Sequence, residues 1–119
     1  MFEGLTFDEA QEQYPEMLAA WQDDFNHPPE GAETIDIFNA RCVSFLEEVK
    51  QKHDEQVVLL VAHGGSLSEI LRSVLGLARE KRWYLELDNT SLSEVLIADT
   101  FTSVKRLNDT CHLAVLRKP

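Results

Sequence analysis

Apolar residues recur at helical spacing in three stretches of the chain and run unbroken in a fourth. Residues 6–24 predict a helical segment broken at Tyr14-Pro15, with Pro15 as a new start and Met17, Leu18 and Trp21 as an apolar stripe on the second piece. Asn26-His27-Pro28-Pro29-Glu30-Gly31 cannot continue a helix and predicts a loop. Thr34 is placed to cap a long helix whose buried face is Ile35, Phe38, Cys42, Phe45, Leu46 and Val49. Val57-Val58-Leu59-Leu60-Val61-Ala62 differs in kind: it is continuous, valine-rich and too short for a typical helix. Such a run predicts a strand covered on both faces, at the centre of a parallel or mixed sheet.

That strand ends at His63-Gly64-Gly65, after which Leu67, Ile70, Leu71, Val74 and Leu75 resume a helical period and Gly76 is placed to stop it. Residues 92–98, 103–107 and 111–116 read as strands, separated by polar turns at Asp99-Thr100 and Asn108-Asp109. With no internal repeat, low-complexity tract or flexible linker, residues 1–119 predict one α/β domain. A strand that delivers a histidine to its carboxyl end, where a glycine-rich turn opens a helix, is where open α/β sheets bind ligands.

At 44% apolar and 27% charged residues, the chain has the composition of an ordinary globular domain. A net charge of −10 argues against nucleic-acid or anionic-membrane partners. Much of that charge is early, in Asp8, Glu9, Glu12, Glu16, Asp23 and Glu30, and fits a solvated helix face. No apolar run is long enough to span a bilayer, and the first ten residues lack the pattern of a secretory signal, so a cytoplasmic address is expected. Cys42 and Cys111 lack metal or redox spacing and are expected to be small buried hydrophobes.

His63 is the first candidate for chemistry. Two following glycines leave it little steric cover, and the positive helix end beyond favours an anion such as phosphate. A lone His-Gly-Gly equally fits a histidine that closes a strand by bonding a loop. Glu33 follows the Pro/Gly loop at the entrance of the next helix, and an apolar rim that raised its pKa would suit it to general-acid work. An acidic residue favouring the helix dipole explains the same position, and Glu30 is a weaker rival. Leu87-Asp88-Asn89-Thr90-Ser91 fits either a site lining or a turn that satisfies its own backbone. His27, His53 and His112 lack ligand spacing, so no metal site or cofactor is expected, and Ser66 and Ser68 lack a nucleophile-elbow pattern.

Five segments, in order, resemble the histidine phosphatase superfamily, within it the phosphoglycerate-mutase-like and α-ribazole phosphatase-like branch. Phe2-Glu3-Gly4-Leu5-Thr6 resembles a W/F-E-G-L-T segment, and Pro29-Glu30-Gly31-Ala32-Glu33-Thr34 a P-x-G-G-E-S loop that places the proton donor on Glu33. Val61-Ala62-His63-Gly64-Gly65 resembles the strand end carrying the family's second active-site histidine. Leu87–Ser91 and Leu107–Leu113 resemble its L-D-N-A-S and L-N-D-T-A-H-L segments. The resemblance implies catalytic roles for Glu33 and His63, phosphate or substrate contacts for Gly64, Gly65, Glu3 and Asn89, a small phosphorylated metabolite as substrate, and no metal. It implies a phosphohistidine mechanism on a mixed, mostly parallel sheet flanked by helices.

The family's R-H-G motif, with its nucleophilic histidine, and its S-x-L-x-R-A-x-x-T-A helix occur nowhere in these 119 residues, and Ala32 and Thr34 replace a glycine and a serine. The expectation is therefore a carboxyl-terminal portion whose first strand and helix are missing. Alone it should be inactive, and it should assemble as a dimer or larger to cover open sheet edges. The alternatives are a catalytically dead module that binds phosphate or a protein, and an enzyme completed by a strand from another chain.

Overall fold

The computed structural model describes residues 2–79 and 85–114. The chain divides into two compact units, Met1–Arg41 and Cys42–Pro119.

In the first unit, α1 (Phe7–Gln13) begins at a capping box. The Glu9 N–H donates to Thr6 Oγ1 at 3.3 Å and the Thr6 N–H to Glu9 Oε2 at 2.8 Å, so two orphan amides of the helix start are satisfied reciprocally. Bonding from the Thr6 amide and hydroxyl holds the Glu9 carboxyl below its ordinary pKa. Pro15 opens α2 (Pro15–Asp23) as expected, at a position where a missing N–H costs nothing. The two helices bury Ala10 and Leu18. Phe2, Tyr14, Trp21 and Phe25 form a chain of tilted and edge-on ring contacts with centroids 5.8–6.1 Å apart. The following loop folds back on the next helix through the Ile35 N–H to the Phe25 carbonyl (3.2 Å) and the Asp36 N–H to Asn26 Oδ1 (3.3 Å).

Helix α3 (Ile35–Lys52) is capped by Thr34, whose Oγ1 accepts the Ile37 N–H at 3.2 Å. Its buried stripe is Asn39, Cys42 and Leu46, while Phe45 stands exposed. Ile35, Phe38 and Val49 are half-buried beside it, so the predicted face holds except at Phe45, and it includes an amide that a hydrophobic pattern cannot flag. Asn39 Nδ2 and Oδ1 are buried without a hydrogen-bond partner among the described residues.

In the second unit, residues 57–62 do not form the predicted doubly covered strand. No ladder pairs them among the described residues; Val57 is fully exposed, Leu59 is 77% and Val61 87% exposed. A strand, unlike a helix, borrows its hydrogen bonds from a neighbour, and none of the described residues supplies one. Helix α4 (Gly64–Val74) follows, burying Ile70 and Leu71 with the Glu69–Arg72 ion pair. Arg72 Nε and Nη2 reach the Glu69 carboxylate at 2.8 and 2.5 Å, and Nη1 bonds the Leu77 carbonyl. Gly76 ends the helix as predicted. At φ +63°, a conformation glycine adopts freely, it lets the Leu77 N–H reach the Arg72 carbonyl (3.0 Å) and its own N–H the Ser73 carbonyl (3.1 Å).

Strands β1 (Leu92–Ile97) and β2 (Thr102–Asp109) form an antiparallel hairpin closed by the Ala98 N–H to the Phe101 carbonyl at 2.9 Å. Its register shifts on either side of Glu94. The sheet among the described residues is this ribbon alone, not the mostly parallel sheet the resemblance implies. The predicted third strand is also corrected: Cys111–Leu113 is a 3-10 turn, and residues 115 and 116 lie outside the described ones. Cys42 is buried as expected, but Cys111 is exposed, and bonding to Asp109 pushes its thiol pKa up.

Candidate active site

His63 is extended (φ −72°, ψ 152°) and stands at the N-cap of α4, its side chain making no capping bond. The first intrahelical bond runs from the Leu67 N–H to the His63 carbonyl at 3.1 Å. The amides of Gly64, Gly65 and Ser66 therefore belong to the helix start, where donors lack intrahelical acceptors and the dipole is positive. A side chain on Gly65 would meet nothing within 4 Å, so the space over this turn is open. An exposed imidazole beside open amides can grip an anion.

The 85–91 segment is fastened alongside. Ser68 Oγ donates to the Leu85 carbonyl at 2.7 Å, and the Leu87 carbonyl lies 3.6 Å from where a Cβ on Gly64 would be. At the other end, Asn108, itself left-handed at φ +52°, accepts the Asp88 N–H on Oδ1 at 2.8 Å. Its own N–H donates to Ser93 Oγ at 3.1 Å. These bonds suspend the exposed Asn89 turn between α4 and the hairpin. The turn does satisfy its own backbone, through the Ser91 N–H to the Asp88 carbonyl at 3.1 Å.

The other candidates lie in the first unit. Glu3 shares a cavity of about 340 Å³ with Phe2, Trp21, Pro29, Glu30, Gly31 and Ala32, so the first and second resembling segments meet around one hollow. Glu33 does not sit in the pKa-raising surroundings that would suit it to general-acid work. Arg41 Nη2 reaches its Oε1 at 2.5 Å and Arg41 Nε its Oε2 at 3.2 Å, and this fork holds the Glu33 carboxyl below the ordinary range. The Arg41 guanidinium also lies 5.3 Å from the centroid of the Phe38 ring. Arg41 was not legible as a site residue. Its one signal is a cation on α3 two turns beyond a candidate carboxylate. Glu3 and Glu33 thus belong to one unit, and His63, Gly64, Gly65 and Asn89 to the other. Among the described residues no group of three or more His, Cys, Asp or Glu gathers as a metal site would, and no helix is long and apolar enough to cross a membrane.

Phosphoserine phosphatase 1 of Hydrogenobacter thermophilus is 32% identical over 115 residues, covering 95% of this chain and 54% of its own. The adenosylcobalamin/alpha-ribazole phosphatase of Escherichia coli is 28% identical over 94 residues, 78% of this chain and 46% of its own. The chain thus spans about half the length of the curated relatives it matches. Among solved structures, the alpha-ribazole phosphatase from Shigella flexneri superposes with a TM-score of 0.78 at 24% identity, over 88% of this chain and 52% of that one. That likeness establishes the fold: the α/β arrangement of phosphoglycerate-mutase-like phosphatases, over the half this chain spans. The family model for the histidine phosphatase superfamily (branch 1) matches residues 1–110, which include every candidate site residue, and the chain belongs to that superfamily.

Proposed function

We propose that this chain carries the proton-transfer carboxylate, Glu33, and a phosphate-gripping histidine, His63, of a metal-independent phosphomonoesterase that works through phosphohistidine on a small phosphorylated metabolite. The observation that carries the proposal is the uncovered His63 on the open glycine turn of α4, in a chain matched to the superfamily from end to end of its candidate residues. Phosphate oxygens on the amides of Gly64 and Gly65 and the imidazole of His63 would have charge-assisted donors on one side. Glu33 would give a proton to the leaving oxygen and later take one from water, and Glu3 and Asn89 would be substrate contacts. Phosphoserine-like and α-ribazole-phosphate-like monoesters are the substrate classes that the matched relatives suggest, and the cytoplasm is where such metabolites would be met.

An Arg-His-Gly run, where the superfamily keeps its nucleophile, is not among these 119 residues, and catalytic groups that act as a unit do not retain partial activity in proportion. The 119 residues alone should therefore not turn over. The run 57–61, without a ladder among the described residues, and the exposed Leu92, Leu96, Val104 and Leu107 of the hairpin are the surfaces a complementary strand, or a second copy in a dimer or larger assembly, would cover. One observation favours a second function, a phosphate-binding module without turnover: the open amide turn at the start of α4 needs no carboxylate to hold an anion.

The test is to join this chain to the nucleophile-bearing half of the Hydrogenobacter enzyme and assay release of p-nitrophenol from its phosphate ester. Turnover and an acid-labile phosphoenzyme are expected from the joined protein only, with His63→Ala and Glu33→Gln each slower by about a hundredfold. A folded joined protein that binds vanadate yet forms no phosphoenzyme would leave the binding module standing instead.

A further inference from the structure

Glu33 is asked to do two opposite things in one cycle. As an acid it gives its proton to the leaving oxygen while the P–O bond breaks and the N–P bond forms. As a base it takes a proton from water while the water oxygen bonds phosphorus and the N–P bond breaks, which restores the acid and frees phosphate. The structure shows this carboxylate in one state only. Both oxygens lie in the guanidinium fork of Arg41, at 2.5 and 3.2 Å, and the guanidinium is steadied over the Phe38 ring at 5.3 Å. A fork of this kind fixes direction as well as charge, and it leaves carboxylate lone pairs over for a water molecule. The low pKa direction of Glu33 agrees.

We infer that Arg41 is the positioning residue of the base half of the cycle: its fork keeps the Glu33 carboxylate ionised and aimed, so that water attacks the phosphohistidine. The inference rests on the phosphomonoesterase function proposed above. It assigns the acid half a different requirement, since Glu33 can carry a proton only when the fork opens. Lysine would keep the charge and lose the fork.

Two substrates separate the halves. p-Nitrophenolate leaves without a proton, so turnover of p-nitrophenyl phosphate reports the hydrolysis of phosphohistidine; phosphoserine, whose alkoxide must be protonated, reports both. In the joined protein described above, Arg41→Gln is expected to lower kcat on p-nitrophenyl phosphate by about ten- to a hundredfold, as small misplacements of a reacting group do. KM should not rise and phosphoenzyme should accumulate, while Arg41→Lys falls between. Phosphoserine turnover should fall less, because the opened fork aids proton donation. Equal kcat and equal phosphoenzyme in Arg41→Gln and the parent would overturn the role of Arg41 while leaving the phosphatase in place. So would equal losses in both variants accompanied by lowered denaturation midpoints, which mark a structural role. A parent without phosphoenzyme on either substrate would overturn the proposed function, and the inference with it.

Discussion

Two apolar runs stand side by side in this chain and meet opposite fates. Residues 67–71 of α4 bury Ile70 and Leu71 to 9% and 6% exposure, whereas Val57, Leu59 and Val61, ten residues earlier, lie open. The difference is not hydrophobicity. A helix satisfies its backbone from within and needs a neighbour for one face only, while a central strand takes hydrogen bonds from both sides and cover from both faces. The helices therefore form from this chain's own residues, whereas the run before His63 finds no ladder among the described residues. His63 sits at the junction of the two, extended on one side and capping a complete helix on the other.

Substitutions can break this contrast, beginning with the most damaging. Arg72→Met removes one partner of the buried Glu69 pair and the clasp on Leu77, and is expected to cost about 3–5 kcal/mol in denaturant unfolding. Leu71→Ala should cost about 2–4 kcal/mol by the same measurement, from lost burial and the cavity left behind. Gly76→Ala should cost about 1 kcal/mol, all of it conformational, since a Cβ there meets no neighbour but φ is +63°. Leu59→Ser should change stability by less than about 0.5 kcal/mol, because the side chain is 77% exposed. In the assembly proposed above, it should weaken self-association in sedimentation. Were Leu59→Ser as costly as Leu71→Ala, the contrast between the two runs would fail.

Much of this was legible from the residues. Helix starts and stops follow from local chemistry, and Thr6, Pro15, Thr34 and Gly76 each stand where capping rules place them. The turn at Asp99-Thr100 and both hairpin strands were legible for the same reason. What depended on distant partners was not. Val57–Ala62 carries the composition of a central strand but has no ladder among the described residues, and Cys111–Leu113, read as strand, closes into a 3-10 turn where Asp109 Oδ1 accepts the Cys111 N–H at 2.8 Å. The buried Asn39 interrupts no pattern that periodicity can see. At the candidate site, family motifs marked Glu33 and His63, but no motif marked the Arg41 fork, eight residues on, that holds the Glu33 carboxyl low.

Whether Glu33 and His63 serve one phosphoryl group is best tested by titrating vanadate into the joined protein with isotope labels on histidine and glutamate side chains. The His63 imidazole and the Glu33 carboxyl should respond together, at one shared affinity. A histidine that shifts while the carboxyl stays unmoved would contradict a common site.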